Sequence, residues 1–418
     1  MPDTNQIGSG PNQPDSPVAA SGSQTSSARD NKTINNFEVH RLALVLTANA
    51  CMFVFGVVLL LMGSLLPSLE VNYVQAGSLG SFPLAGILAA TILVGPLLDS
   101  VGAKPVLAVA LALVAGALAL MPSLHTYPAM AVAALIYGFG GGVLNTATNA
   151  LVADLSASGR GAALNVLGFS FSLGALAAPL LMSTVGGSLG TASVLHILAA
   201  STGMILVPVL IFRFPAPTYA GTRLAELLGV LNNPLVWLFG VLLFFESGSE
   251  NSMFVWAGKI VAGVFHATPQ RANWALVGLS AAIGIGRLLA AFLLRLLGSR
   301  KTMLLSTGIT VTGAVVANTS REFPVAVLGI TVIGLGLASI FPTALGVAGD
   351  RFPRRTGTVF GAIMAVALVG GTAGPSISST LAAEGLRNIL WIPVISAMAV
   401  ATLTLVVTRQ GSSDSAAN

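Results

Sequence analysis

The apolar residues of this chain fall into long runs, and polar residues separate one run from the next. A helix needs about 20 consecutive, mostly apolar residues to cross the hydrocarbon core of a bilayer. Twelve runs come close to that length and are numbered here as spans 1–12. They lie near residues 42–66, 78–98, 105–122, 127–150, 162–185, 193–212, 235–258, 274–297, 302–319, 323–345, 357–382 and 388–408. The pattern predicts twelve transmembrane helices in two sets of six.

The segments outside the spans divide the chain further. Residues 1–38 are rich in Ser, Gly, Asn, Gln and Pro, and so few apolar residues cannot offset the entropy lost on ordering. We expect a disordered tail there, then a six-helix bundle over 39–212, an inter-bundle connection over 213–234, a second bundle over 235–408 and a short tail over 409–418.

Composition narrows the class of protein. Of 418 residues, 54% are hydrophobic and 8% charged, whereas a soluble domain carries about 25% charged residues. Lipid must therefore cover the apolar surface, and we predict an all-α polytopic membrane protein. The single cysteine, Cys51, excludes an intrachain disulfide. We find no phosphate loop, nucleotide fingerprint or metal-ligand spacing, so we expect no enzyme, cofactor or nucleic-acid partner.

The basic residues indicate the orientation, because cytoplasmic loops of membrane proteins carry an excess of Lys and Arg. With a cytoplasmic N-terminus, most of the 19 Lys and Arg residues fall on the cytoplasmic side. Arg271, Arg321 and Arg387 then fall outside, and Arg287 lies within a span. We expect a multi-pass protein of the plasma (inner) membrane, with the connection and both termini in the cytoplasm.

An internal repeat relates the two sets of spans. Several Gly, Pro and Asp residues of the first half recur in the second at a constant offset of 196 residues. The pairs are Gly102 and Gly298, Gly138 and Gly334, Gly140 and Gly336, Asp154 and Asp350, Gly174 and Gly370, and Pro179 and Pro375. A single ungapped register over spans 4–5 and 10–11 is hard to obtain by chance, so we interpret the halves as duplicates.

Six plus six helices in one orientation resemble the plan of the major facilitator superfamily. Gly95, Asp99, Gly102 and Lys104 match its signature loop between spans 2 and 3, although Ser100 stands where the signature has its first Arg. The resemblance implies a secondary transporter of two pseudo-symmetric six-helix bundles, in which this loop latches the halves on the cytoplasmic side. Ordinary solvated loop charges are the alternative. The expected gate residues are Gly95, Asp99, Gly102, Lys104, Asp154, Arg160, Asp350, Arg351 and Arg354.

Within the superfamily, three segments resemble the fucose permease-like sugar:cation symporters. Leu144–Ala150 is similar to that group's span 4 pattern, Gly334–Thr343 to its span 10 pattern, and Phe245–Trp256 to its span 7 pattern. The acidic residues of the group's spans 1 and 4 fall here on Gly63 and Asn145. Both acids that such relatives would use to carry protons in the N-terminal half are therefore absent.

Three ionisable residues lie within the predicted spans: Glu246, Glu250 and Arg287. An ionisable side chain inside a membrane costs several kcal/mol, so each needs a reason. Glu246 and Glu250 are four residues apart and share a helix face. Two carboxylates in a low dielectric cannot both ionise easily, and Arg287 could hold one of them charged. We predict a proton or sodium switch; the alternative is a buried salt bridge that only fixes spans 7 and 8.

A site for a sugar needs hydrogen-bonding amides and an aromatic face. The predicted substrate-binding residues are Asn145, Asn149, Asn165, Phe245, Glu246, Glu250, Asn251, Trp256 and Phe341. An amide within a span can instead join two helices, and an aromatic ring can simply pack.

The leading interpretation is a carrier of a monosaccharide or similar polar solute, coupled to protons or sodium and working in the bilayer as a monomer. One alternative is an exporter of drugs or amphiphiles. The loss of the two acids favours it, whereas the incomplete export-type motif Gly174–Pro179 does not. Another alternative is a membrane sensor that does not transport.

Overall fold

The computed structural model describes residues 22–156, 160–215, 232–352 and 356–414. Side chains are described within these ranges except at residues 22–38, 99, 160–162, 165, 291, 356–358 and 408–414. The chain forms two units, Met1–Leu44 and Val45–Asn418, and the packing described below is that of the second unit.

Every regular segment among the described residues is helical, which confirms the all-α prediction. The main helices are α1 (Gly22–Leu65), α2 (Tyr73–Val101), α3 (Ala103–Leu120), α4 (Tyr127–Leu155), α5 (Arg160–Thr184), α6 (Thr191–Ile211), α7 (Pro234–Phe265), α8 (Pro269–Thr319), α9 (Phe323–Leu337), α10 (Ile340–Arg351), α11 (Thr356–Glu384) and α12 (Trp391–Asp414). Short helical turns lie at Leu66–Ser68, Met121–Ser123, Gly186–Leu189 and Leu386–Leu390.

Polar caps start several of these helices. The Asn72 side chain accepts from the Gln75 amide, and the Gln75 side chain accepts from the Asn72 amide, which forms a capping box at α2. Asn233 caps α7, and Thr268 caps α8. These side chains satisfy backbone donors that have no partner within the helix.

The helices follow the predicted spans with four differences. Helix α8 contains both span 8 and span 9 and bends at Gly298, and span 10 is divided into α9 and α10. Helix α12 runs on to Asp414, into the predicted C-terminal tail. Helix α1 begins at Gly22, within the predicted N-terminal tail. No proline interrupts the chain from there to Leu65, and extending a helix costs less than starting one. Residues 1–21 and 216–231, parts of the predicted tail and connection, lie outside the described residues.

Eleven helical segments in the described part of the chain are long and apolar enough to cross a membrane. They correspond to all the predicted spans except span 7. Span 7 is α7, whose 32 residues are ample for a crossing. Its middle carries Glu246, Glu250 and Asn251, and these polar residues lower its hydropathy.

The repeat is visible in the packing as well as in the sequence. A side chain on Gly138 would place its Cβ 2.2 Å from the Pro83 carbonyl oxygen, and one on Gly334 would lie 2.5 Å from that of Leu279. Both residues of the second contact follow those of the first by 196 positions. The junctions after α2 and within α8 also match, because Gly102 has φ 81° and Gly298 has φ 74°. Each half therefore folds with the same helix contacts.

The two halves contact each other at the end of the bundle where α1 ends and α2 begins. The Lys259 ammonium of α7 donates to the carbonyl oxygens of Leu66 and Leu69, at 3.2 and 3.0 Å. The hydroxyls of Ser81 and Ser376 are 2.8 Å apart, which joins α2 to α11. We call this end of the molecule the closed end.

Backbone contacts at the closed end are equally tight. The Asn273 amide of α8 donates to the Ser64 carbonyl oxygen at 3.1 Å. A Cβ on Gly63 would overlap the Phe254 carbonyl oxygen of α7. The C-terminus of α1 therefore packs against the second half without space for water.

The opposite end of the molecule is different. A Cβ added to Gly168, Gly346 or Gly361 would meet no atom within 4 Å. The Asp154 and Asp350 side chains near the ends of α4 and α10 are exposed. The described residues are thus less closely packed here than at the closed end, and we call this the open end.

Candidate functional site

Glu250 of α7 and Arg287 of α8 form an ion pair. The Arg287 Nη2 and Glu250 Oε1 atoms are 3.7 Å apart, and the two side chains are 35% and 14% exposed. The sequence predicted that Arg287 could hold one of the two glutamates of span 7 charged, without deciding which one. The structure brings Arg287 into contact with Glu250, although 3.7 Å is longer than a hydrogen bond.

Phe171, on α5 of the first half, covers one face of the guanidinium. The Arg287 Cζ atom is 5.8 Å from the centre of its ring, within the range of a cation–π contact. The Phe171 ring packs in turn on Phe55 of α1, at a centroid distance of 5.4 Å. Sequence reasoning missed Phe171, because nothing in its local sequence distinguishes it from other apolar residues of span 5. Through it, Arg287 contacts both halves.

Glu246 lies one helical turn from Glu250 and is fully buried. Ser247 Oγ donates to its Oε2 atom at 3.3 Å, and its Oε1 atom has no hydrogen-bond partner among the described residues. Glu250 and Arg287 are both close enough to interact with it electrostatically. One guanidinium therefore pairs with Glu250, and the second carboxyl group lies one helical turn away on the same helix.

Asn145 and Asn149 contact each other on α4. The Asn149 side-chain nitrogen donates to the Asn145 backbone and side-chain oxygens, at 2.8 and 3.0 Å. Asn145 is half-buried and Asn149 is exposed, so the pair is accessible. The four-residue spacing predicted their shared face. The Asn165 side chain lies outside the described residues.

The other predicted substrate residues have different surroundings. Phe245 and Phe341 are half-buried. The Asn251 side chain donates to the Ser247 carbonyl oxygen within α7, at 2.9 Å. Trp256 is fully buried, and its indole nitrogen donates to the Pro375 carbonyl oxygen of α11 at 3.0 Å. Trp256 therefore joins α7 to α11. Its side chain has no accessible surface in this structure with which to make the predicted contact with a solute.

Lys104, one of the residues predicted for the cytoplasmic latch, contacts its own half in this structure. The Lys104 ammonium donates to the carbonyl oxygens of Leu210 and Phe212, at 2.7 and 3.1 Å, at the end of α6 in its own half. A cation at a helix C-terminus is stabilised by the carbonyl groups that have no partner within the helix. Lys104 is thus a helix cap, where the sequence predicted a contact between halves.

The remaining gate residues lie at the open end. Gly95 lies in α2, and Gly102 ends that helix with positive φ. Asp154 and Asp350 are exposed and Arg351 is half-buried, and none of the three forms an ion pair with another described side chain. The side chains of Asp99, Arg160 and Arg354 lie outside the described residues.

In the part of the chain that the structure describes, no group of three or more His, Cys, Asp or Glu residues is placed to hold a metal ion. The chemistry of the site is that of three ionisable groups within the membrane-spanning helices. The site lies where Phe171 of the first half meets Arg287 of the second.

Comparison with known proteins supports the resemblance found in the sequence. The family model of the Major Facilitator Superfamily matches residues 44–260 and again residues 238–417. An uncharacterized transporter of Sinorhizobium fredii is 26% identical over 359 residues, which cover 84% of this chain and 87% of that protein.

Solved structures share the fold. A variant of the nucleoside transporter NupG has a TM-score of 0.74 with 16% identity, covering 88% of this chain and 99% of that one. A variant of the E. coli fucose:proton symporter FucP has a TM-score of 0.60 with 17% identity, covering 87% and 98%. The chain therefore belongs to the Major Facilitator Superfamily and is a multi-pass membrane transporter rather than an enzyme.

Proposed function

We propose that this transporter moves a small polar solute, a sugar or a compound of similar size, together with a proton or sodium ion. Glu246, Glu250 and Arg287 couple the two movements. The observation that carries the proposal is the unequal charge of this group. One guanidinium pairs with Glu250, and a second carboxyl group, that of Glu246, lies buried one helical turn away. An unpaired charge is costly there, so a cation is needed to balance the second carboxyl group.

The polar solute would lie between the halves, near the coupling residues. Asn145 and Asn149 provide accessible amide groups from the first half. Phe245 and Phe341 provide half-buried rings from the second. Amides and rings together suit a sugar, whose hydroxyl groups need hydrogen bonds and whose C–H faces pack on aromatic rings.

Transport would proceed by rocking of the two halves about this site. The positive-inside distribution of Lys and Arg would place the open end in the cytoplasm and the closed end outside. The conformation described is then inward-open. Because the duplicated chain supplies both halves of the cleft, a monomer suffices. The protein would lie in the inner membrane, with both termini in the cytoplasm.

The test replaces Glu250 by Gln in protein reconstituted into liposomes. Uptake of a panel of radiolabelled monosaccharides is measured under an imposed proton or sodium gradient, and as solute exchange without a gradient. We expect the variant to exchange solute but not to accumulate it, because the cation no longer changes the charge of the site. Glu70→Gln, which changes an exposed carboxylate outside the site, is the matched control.

Concentrative uptake that survives unchanged in Glu250→Gln would contradict the coupling proposal. Export of apolar compounds, with no uptake of any sugar under either gradient, would instead support the drug-exporter alternative. A protein that binds sugars but moves none under any gradient would support the sensor alternative.

A further inference from the structure

We propose that the transported solute carries a carboxylate, as a sugar acid does, and that Arg287 binds this carboxylate in exchange for Glu250. The inference rests on the proposed function and names the class of its solute. It also assigns to Arg287 a direct contact with the solute, in addition to its place in the coupling group.

The first observation is the unused hydrogen-bonding capacity of Arg287. A guanidinium has five N–H donors. None of them donates to an acceptor among the described residues, and the Nε atom is buried without a partner. The nearest carboxylate oxygen, on Glu250, is 3.7 Å away. Because buried polar groups are nearly always hydrogen-bonded, these donors favour the binding of a solute that brings an acceptor.

The second observation is the accessibility of Arg287. It is 35% exposed, compared with 14% for Glu250, while Glu246 is fully buried. A solute that enters between the halves would therefore reach the arginine before either glutamate. Phe171 covers one face of the guanidinium. The edge that carries the N–H donors is left for a planar group.

The geometry of the guanidinium favours a carboxylate over a hydroxyl group. Two parallel N–H donors match the two oxygens of a carboxylate, and the charge makes these hydrogen bonds about twice as strong as neutral ones. A neutral hydroxyl accepts only one such bond. It brings no negative charge, so the charge of Arg287 is still balanced only by Glu250 at 3.7 Å. A sugar acid satisfies both the arginine and the polar groups on α4.

Charge balance then links the carboxylate to a proton. When the solute takes the place of Glu250 beside Arg287, the Glu250 carboxylate loses its cation. A proton from the aqueous phase, forming an O–H bond on Glu250, restores neutrality. The middles of α5, α9, α10, α11 and α12 contain no other ionisable residue, since their charged residues lie near the helix ends. Glu246, one helical turn away on α7, can share this proton. One proton accompanies each carboxylate.

The experiment compares ligands that differ only in the acid group. Purified full-length protein is titrated with D-glucuronate and D-galacturonate, with the two corresponding uronamides, and with D-glucose and D-galactose, at acidic and alkaline pH. We expect the acids to bind, more tightly at acidic pH, and the uronamides and hexoses to bind roughly tenfold or more weakly. Uptake of the acid into liposomes is expected to follow a pH gradient and to ignore an imposed membrane potential.

Two variants assign the effect to the pair. In Arg287→Gln, acid binding is expected to fall to the level of the uronamide. In Glu250→Gln, acid binding is expected to persist and to lose its dependence on pH, because the competing carboxylate is gone. The double variant Arg287→Gln, Glu250→Gln removes both members of the ion pair, so it does not leave Glu250 without its cation and serves as the second test if Arg287→Gln alone does not fold.

Each outcome decides between the two proposals. If the hexoses are transported and the uronates are not bound, the carboxylate inference is wrong and the proposed transport of a polar solute stands. Acid binding that is unchanged in Arg287→Gln or in the double variant also overturns the inference. If neither hexoses nor uronates are bound or transported, both proposals fail.

Discussion

At the scale of single residues, Lys104 shows that a charged side chain in a signature loop can serve its own half of the molecule. Its ammonium binds the carbonyl oxygens of Leu210 and Phe212 at the end of α6. These carbonyls have no partner within the helix, and a cation at that end is stabilised by the helix dipole. The contact fixes α3 to α6 whatever the other half does.

Replacing Lys104 by Met is therefore expected to lower the stability of the protein by about 1 kcal/mol and to leave conformational exchange unaltered. Thermal unfolding in detergent measures the first effect, and distance distributions between spin labels on the two halves measure the second. Lys301→Met is the control, because Lys301 is exposed and no hydrogen bond to another described residue is seen. A shifted balance of conformations at unchanged stability would restore the latch interpretation.

The residues of the candidate site differ in how far the sequence could predict them. Glu246, Glu250 and Arg287 were identifiable because an ionisable residue within a span is costly wherever its partner lies. Phe171 and the surroundings of Trp256 were not. An aromatic residue in an apolar run has the same local sequence whether it faces a cleft, a charge or another helix. Only the packing of α5 against α8 and of α7 against α11 decides that.

At the scale of helices, glycines set the distance between neighbours. Gly138 and Gly334 press against the backbones of α2 and α8, and Gly140 and Gly336 press against those of α3 and of the second segment of α8. A methyl group at any of these four positions would overlap backbone atoms. A backbone oxygen in a helix cannot rotate away from a new methyl group as a flexible side chain can. These contacts are therefore rigid.

We expect Gly334→Ala to destabilise the protein by about 1–3 kcal/mol, because its Cβ would lie 2.5 Å from the Leu279 carbonyl oxygen. Gly308→Ala is the matched control on α8. No atom lies within 4 Å of the added methyl group there, and alanine favours a helix more than glycine does. Thermal unfolding of the two purified variants tests this, and equal losses of stability in both would contradict the argument from close packing.

The fold was largely predictable from the sequence because hydropathy and the repeat agree. The positions of the helix bends were harder to predict. The break between α9 and α10 at Ala338 and Ser339 has no proline or glycine at that point. Helix α8, in contrast, continues through Gly298 with positive φ. Such bends depend on tertiary contacts that a linear pattern does not record.

At the scale of the whole molecule, the contacts between halves are concentrated at the closed end. They include a hydroxyl pair, Ser81 and Ser376, and the Lys259 ammonium on the end of α1. Alternating access requires these contacts to break once in each cycle. They are therefore suited to trapping one conformation.

A disulfide between residues 81 and 376 should hold the closed end shut. The variant Ser81→Cys, Ser376→Cys, made in a Cys51→Ala background, is expected to cross-link on mild oxidation, because the two hydroxyls already touch at 2.8 Å. Uptake should then stop and return on reduction. Asp154→Cys, Asp350→Cys at the open end is the control and should not cross-link in this conformation. Full transport by the cross-linked protein would show that these residues need not separate.

The low hydropathy of α7 also affects how the protein is inserted into the membrane. Helix α7 is the one predicted span among the described helices that is not apolar enough, by composition, to cross a membrane unaided. A chain is synthesised from its N-terminus, so both glutamates of α7 leave the ribosome before Arg287 does. Until that arginine arrives, α7 is poorly suited to partition into lipid on its own. The pair of Glu250 and Arg287, to which we assign coupling in the finished protein, would thus also link the entry of α7 into the bilayer to that of α8.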